Sequence, residues 1–189
     1  MRSGHILAIG ATGMLADAVE TLAAGARSVT LVARGARRLA ACGERVRAAG
    51  GEARAIAIDY REVDPLLLHL RAAVEESGPV DRALLWIHAS APRTPAAVIA
   101  LLDELSPGAR ALLVLGSAAA DPSADLDARL AALGARRIDL RALVLGFMVE
   151  ESGSRWLTDP EICAGAIAAL AGEERIRIAG TVEPWSARP

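Results

Sequence analysis

A chain of 189 residues with 53% hydrophobic but only 3% aromatic side chains must fill its core with Ala, Leu, Val and Ile, and at that length it can bury roughly 70% of its unfolded surface without a metal or disulfide staple. A net charge of −2 with no long block of either sign argues against a nucleic-acid surface, and no run approaches the roughly 20 uninterrupted apolar residues that span a bilayer. Cys42 and Cys163 form no CxxC pair and no metal-ligand spacing, so both read as buried inert thiols and no metal site is expected.

Short apolar, β-branched runs alternate with longer periodic segments from end to end. Strands are predicted at residues 5–10, 28–33, 53–59, 82–88, 109–115, 137–145 and 175–181, and helices at 14–24, 36–49, 65–76, 95–105, 124–133 and 160–171. In the first helix Leu15, Ala18, Val19 and Leu22 share one face, with Asp17, Glu20 and Thr21 largely away from it. Parallel strands need long, right-handed crossovers, so sustained alternation predicts an α/β fold: a doubly wound, mainly parallel seven-stranded sheet in one domain spanning 1–189. The apolar start mimics a signal peptide, but Asp17 and Glu20 interrupt it, which predicts a cytoplasmic protein with small-molecule partners.

The first strand runs directly into Gly10-Ala11-Thr12-Gly13-Met14-Leu15-Ala16, a GxxGxxA pattern at the first strand-to-helix junction. Glycines there let backbone turn sharply and approach a phosphate, whose charge then sits at the amino end of a helix. The bland alternative is an ordinary tight turn; the place at the first junction of a long alternating series favours a nucleotide. After the second strand the sequence reads LVARGARRLA. An acidic residue in this place accepts from a ribose 2′-hydroxyl, whereas arginine pairs with a 2′-phosphate. Arg34, Arg37 and Arg38 therefore point to NADP(H), with no acidic neighbour competing in the local sequence; otherwise they form a solvated helix start.

IGATGMLA, LVAR and IDY together resemble the cofactor half of the short-chain dehydrogenase/reductase family, and LGFM, WLTDPEICAGAIAALAG and IRIAGTV are similar to its later segments. LLWIHASAP and EPWSARP also resemble segments of small bacterial proteins described only as short-chain-dehydrogenase-like. The resemblance implies a Rossmann-type sheet in the order 3-2-1-4-5-6-7 and a homo-oligomer. It assigns Gly10, Thr12, Gly13, Met14 and Leu15 to the pyrophosphate turn, Arg34 to the 2′-phosphate and Asp59 and Tyr60 to the adenine end. Ala89, after the fourth strand, joins the cofactor residues, and Gly146, Met148 and Val149 fall on the nicotinamide side.

The same family generally uses a YxxxK tyrosine and lysine on the helix after strand five. Here all 21 basic residues counted as Lys+Arg are arginines, and the one tyrosine, Tyr60, follows strand three. Ser117, after strand five, matches the family's catalytic serine in position. His88 ends strand four on the carboxyl edge, where ligands gather in open α/β sheets. Its imidazole can donate a proton, hydrogen-bond a substrate, or simply tie down a loop. His5 and His69 read as structural. Arg155 and Trp156, within the segment 149–161, stand where a substrate loop is expected, and Trp185 lies in a tail able to meet a subunit or a ligand. Two functions stay open: an NADPH-dependent oxidoreductase reducing a small carbonyl or imine without the Tyr/Lys pair, and a catalytically silent NADP(H)-binding sensor or accessory protein.

Overall fold

Parallel strands cannot be joined by tight turns, and in this chain the crossovers fall on both faces of one sheet. The computed structural model describes residues 4–120, 125–151 and 153–189. In chain order the elements are β1 (His5–Ile9), α1 (Ala16–Ala23), β2 (Ser28–Ala33), α2 (Ala36–Ala48), β3 (Glu52–Ala57), α3 (Val63–Ser77), β4 (Arg82–Trp86), α4 (Thr94–Leu105), β5 (Arg110–Leu115), α5 (Leu126–Ala131), β6 (Asp139–Leu145), β7 (Phe147–Glu150), β8 (Gly153–Trp156), α6 (Asp159–Ala171) and β9 (Ile176–Ala179). The main sheet has seven strands in the order β3-β2-β1-β4-β5-β6-β9, all parallel, with Ile9 opposite both Val32 and Leu85. This is a doubly wound Rossmann-type sheet. The expected seventh strand is β9, because β7 and β8 form a separate antiparallel hairpin pairing Phe147 with Trp156.

Helices α1, α2 and α6 cover one face over Leu31, Leu84, Leu112 and Leu143. Leu7, Leu85, Leu113 and Ala142 face the other side, in a core shared with α3, α4 and Leu130 of α5. Burial on both faces explains why β1 and β2 are buried at every position and read as continuous apolar runs. At one edge, β3 keeps only Ile56 fully buried.

Helices α3, α4 and α6 begin one or two residues before their prolines, since a missing N–H is harmless in a first turn. Helix α5 is only six residues long, capped by Asp125, whose carboxylate accepts from the Ala128 N–H at 2.8 Å. Ala124, expected to open it, lies outside the described residues. Where a substrate loop is expected over 149–161, the chain forms the hairpin β7–β8 as far as Trp156 and then enters α6 at Asp159.

Both ends of α6 are fixed. At its carboxyl end, where carbonyls lack helical partners, Arg110 Nη1 donates to the Leu170 and Gly172 carbonyls at 2.9 and 3.1 Å. The buried Arg141 also donates to the Gly172 carbonyl and holds Asp139 at 2.8 Å. Two guanidinium charges thus meet the negative end of the helix dipole. Near its amino end, the buried Cys163 thiol donates to the Met14 carbonyl at 3.0 Å. A helix anchored on β5 and β6 therefore braces the glycine turn between β1 and α1.

Candidate functional site

The turn after β1 is built by Gly10, whose φ of +72° and a virtual Cβ only 2.1 Å from the Trp86 carbonyl oxygen exclude any side chain. Its N–H donates to the Val32 carbonyl at 2.9 Å, which ties the start of the turn to β2. Gly13 differs: a Cβ there would meet nothing within 4 Å. Among the described residues the amides of Thr12, Gly13, Met14 and Leu15 donate no backbone hydrogen bond. Free N–H groups and an open glycine at the amino end of α1 fit a phosphate. Leu15 can contribute only backbone, since its side chain is fully buried in the core.

A cleft of about 860 Å³ opens above this turn, and Thr12, Gly13, Met14, Arg34, Arg37 and Arg38 line it. The arginines surround Gly35, which is the N-cap of α2 and is also open where a Cβ would point. The sequence expectation of no acidic competitor is corrected here. Asp59, reaching over from the end of β3, sits 3.8 Å from Arg34. Its other bonds go to Arg61, whose Nε and Nη2 donate to Oδ2 at 2.9 and 2.6 Å. These Arg61 bonds, helped by Arg34, hold the Asp59 carboxyl down at about 2. Two segments far apart in sequence meet because β2 and β3 are paired in register, Ala33 opposite Ala57.

Tyr60 was expected at the adenine end, and the structure carries its phenol further. It is buried, its hydroxyl oxygen accepts the His88 N–H at 3.4 Å, and its carbonyl accepts the Thr94 hydroxyl at 2.8 Å. The single phenol thus props the end of β4. His88 is exposed at that end, with its imidazole edge-on to Trp86 at 5.3 Å and 74° between planes. Trp86, Tyr60 and His88 all line the cleft.

Trp86 and His88 also line a second cavity of about 500 Å³, between the carboxyl ends of β4 and β5, the start of α4 and the end of α5. Ala89 lines that second cavity, as do Gly116 and Ala118, which flank Ser117. Ser117 is half-buried in the 3₁₀ turn Ser117–Ala120. Trp86 was missed in the sequence, although it stands two residues before His88 within the strand expected over 82–88, a spacing that puts both on one side; the observed β4 ends at Trp86.

The remaining expected residues sit around the hairpin. Gly146 is glycine for a packing reason, since its virtual Cβ falls 2.1 Å from the Thr181 carbonyl oxygen. Met148 is half-buried and Val149 is 55% exposed. Arg155 is engaged by Glu150 at 2.6 Å and by Glu161 at 2.9 Å, bracing the hairpin on α6 rather than reaching over the cleft. Arg155 and the Thr158 cap hold the Glu161 carboxyl down at about 2. Trp185 carries the Arg188 guanidinium 4.5 Å over its ring. His5 is structural: its Nδ1–H donates to the Gly78 carbonyl and its Nε2 accepts the Thr30 hydroxyl, both at 2.8 Å. His69, read as structural, lies exposed on α3. Among the described residues no helix is long and apolar enough to cross a membrane.

No family model and no curated protein matches the sequence. Solved structures do match the fold. A short-chain dehydrogenase/reductase from Mycobacterium marinum is 13% identical with a TM-score of 0.73, over 96% of this chain and 95% of that one. Carveol dehydrogenase from Mycobacterium avium, in complex with NAD, is 12% identical with a TM-score of 0.70, over 95% of this chain and 98% of that one. A metagenomic short-chain oxidoreductase in complex with NADP is 17% identical with a TM-score of 0.66, over 95% and 97%. The chain therefore has the short-chain dehydrogenase/reductase fold.

Proposed function

We propose that this protein is an NADP(H)-dependent oxidoreductase that reduces a small carbonyl or imine compound without a tyrosine–lysine pair. The observation that carries the reading is the meeting of two cavities at one imidazole: His88 and Trp86 line both the arginine-bearing cleft and the apolar cavity beside it. Binding falls to the open Gly13 turn, whose free amides suit a pyrophosphate, and to Arg34, Arg37 and Arg38, which suit a 2′-phosphate. Bound NADPH supplies hydride. His88 supplies the proton to the substrate atom that becomes hydroxyl or amine, and Trp86, packed against the ring edge-on, keeps the imidazole between the two cavities. Ser117, in the turn that follows β5, the strand paired with β4, is a hydrogen-bond donor to the same atom. Tyr60 is a positioning residue that fixes the backbone beneath His88.

A second reading, a silent NADP(H)-binding sensor, is favoured by the complete lack of lysine and by a lone tyrosine whose hydroxyl is engaged with backbone. Wild type and His88→Ala, assayed for NADPH oxidation across a panel of aldehydes, ketones and cyclic imines, separate the two. The oxidoreductase reading expects turnover that falls about 10²–10⁴-fold in His88→Ala with NADPH affinity within a factor of about two. NADPH binding with no turnover on any compound supports the silent reading.

A further inference from the structure

We infer that the substrate is a compact, largely hydrocarbon carbonyl compound rather than a sugar or polyol, and that the cavity between α4 and α5 holds its apolar body. The inference rests on the oxidoreductase reading for its reaction, but not for its binding. The hollow, of about 500 Å³, falls within the roughly 300–1,000 Å³ of small-molecule sites. Among the described residues the segment between β5 and β6 forms the 3₁₀ turn Ser117–Ala120 and the six-residue α5, of which Leu130 alone is buried.

The lining decides the class of occupant. Ile87, Pro95, Leu113, Leu115, Leu130 and Leu133 line the hollow. Besides backbone, the only polar side-chain groups among the described lining residues are the Trp86 indole N–H, the His88 imidazole and the Arg129 guanidinium. A sugar would bring several hydroxyls into this space, each costing about 1–3 kcal/mol if left without a partner. A hydrocarbon body with one carbonyl needs one donor. Because His88 belongs to the cleft as well as to the cavity, a molecule lodged in the hollow presents its polar end at the imidazole.

The test measures binding of acetophenone and of xylose to the NADP⁺-saturated protein by saturation-transfer NMR and calorimetry, in wild type, Ala118→Trp and Leu133→Asp. Ala118 and Leu133 both line the hollow and neither lines the cleft, so NADPH affinity serves as the control for folding. The expected result is saturation transfer to acetophenone and none to xylose. An affinity loss of at least about 10-fold for the ketone is expected in each variant, with NADPH binding within a factor of about two. Should the tryptophan variant lose NADPH binding, Leu133→Asp decides. Xylose binding as well as the ketone, or ketone affinity unchanged in a variant that still binds NADPH, overturns the inference. Ketone bound in the hollow but never reduced would instead sink the oxidoreductase reading while the assignment of the hollow stands.

Discussion

Arg34→Ala should separate the two nicotinamide cofactors, and the size of the effect can be worked from the arrangement at the end of β2. Arg34 stands 3.8 Å from the Asp59 carboxylate, with 63% of its side chain exposed. Unit charges at such a distance attract by about 1 kcal/mol in bulk water and about 4 kcal/mol at an effective dielectric near 20; the exposure puts this pair at the lower end. A phosphate monoester carries about −1.5 to −2 at neutral pH, so it outweighs the single charge of Asp59. Asp59 loses little when Arg34 turns away, since Arg61 still holds it. One charge-assisted contact contributes about 1.5–3 kcal/mol, and the exposure of Arg34 again selects the lower part. The expected loss on Arg34→Ala is therefore about 10–30-fold in NADPH affinity, against less than about 2-fold for NADH, which lacks the phosphate. Asp59→Asn removes the competitor and should tighten NADPH by about 2–5-fold. Calorimetric titration of both cofactors at low and high salt is the measurement, and the NADPH effect should shrink with salt. Equal losses for the two cofactors, or no loss for NADPH, would refute the reasoning.

Three further expectations concern the glycine turn and the buried histidine. Gly10→Ala forces a Cβ against the Trp86 carbonyl at a positive φ, and should cost about 2–4 kcal/mol of stability. Gly13→Ala meets open space and should leave the melting temperature unchanged while weakening NADPH binding; a Gly13→Ala variant that binds normally would remove the phosphate from that turn. His5 is buried as a neutral ring, and burial lowers its pKa despite the Gly78 carbonyl and nearby Asp81, with Arg27 and Arg54 adding to the lowering. The unfolded chain therefore takes up a proton near pH 6.5 that the fold refuses until lower pH. Stability should fall as pH drops from about 7 through 6 and on toward the folded value, by at most about 1.4 kcal/mol per pH unit from this group. Urea midpoints of wild type and His5→Gln at pH 7.5 and 5.5 check it; an identical pH slope in the two proteins would show that His5 is not the source.

What the sequence determined by itself was everything carried by local period and punctuation. The alternation of apolar runs and amphipathic stretches required a parallel sheet with helices on both faces, and β1 and β2 bury every residue as that demands. Glycines at the first junction and arginines after the second strand were legible because turn geometry and charge act over a few residues. The hairpin β7–β8 was missed because two four-residue strands give too short an alternation to stand out from a loop. Only the tertiary structure decided which distant groups meet. The in-register pairing of β2 with β3 delivers Asp59 to Arg34, and the parallel course of β3 and β4 in one sheet puts their carboxyl ends on the same edge, where the Tyr60 phenol meets the His88 N–H. The apolar hollow was invisible for a related reason. A cavity belongs to no residue: it is the space that Ile87, Leu113, Pro95 and Leu130, from four separate segments, fail to fill once the chain has packed.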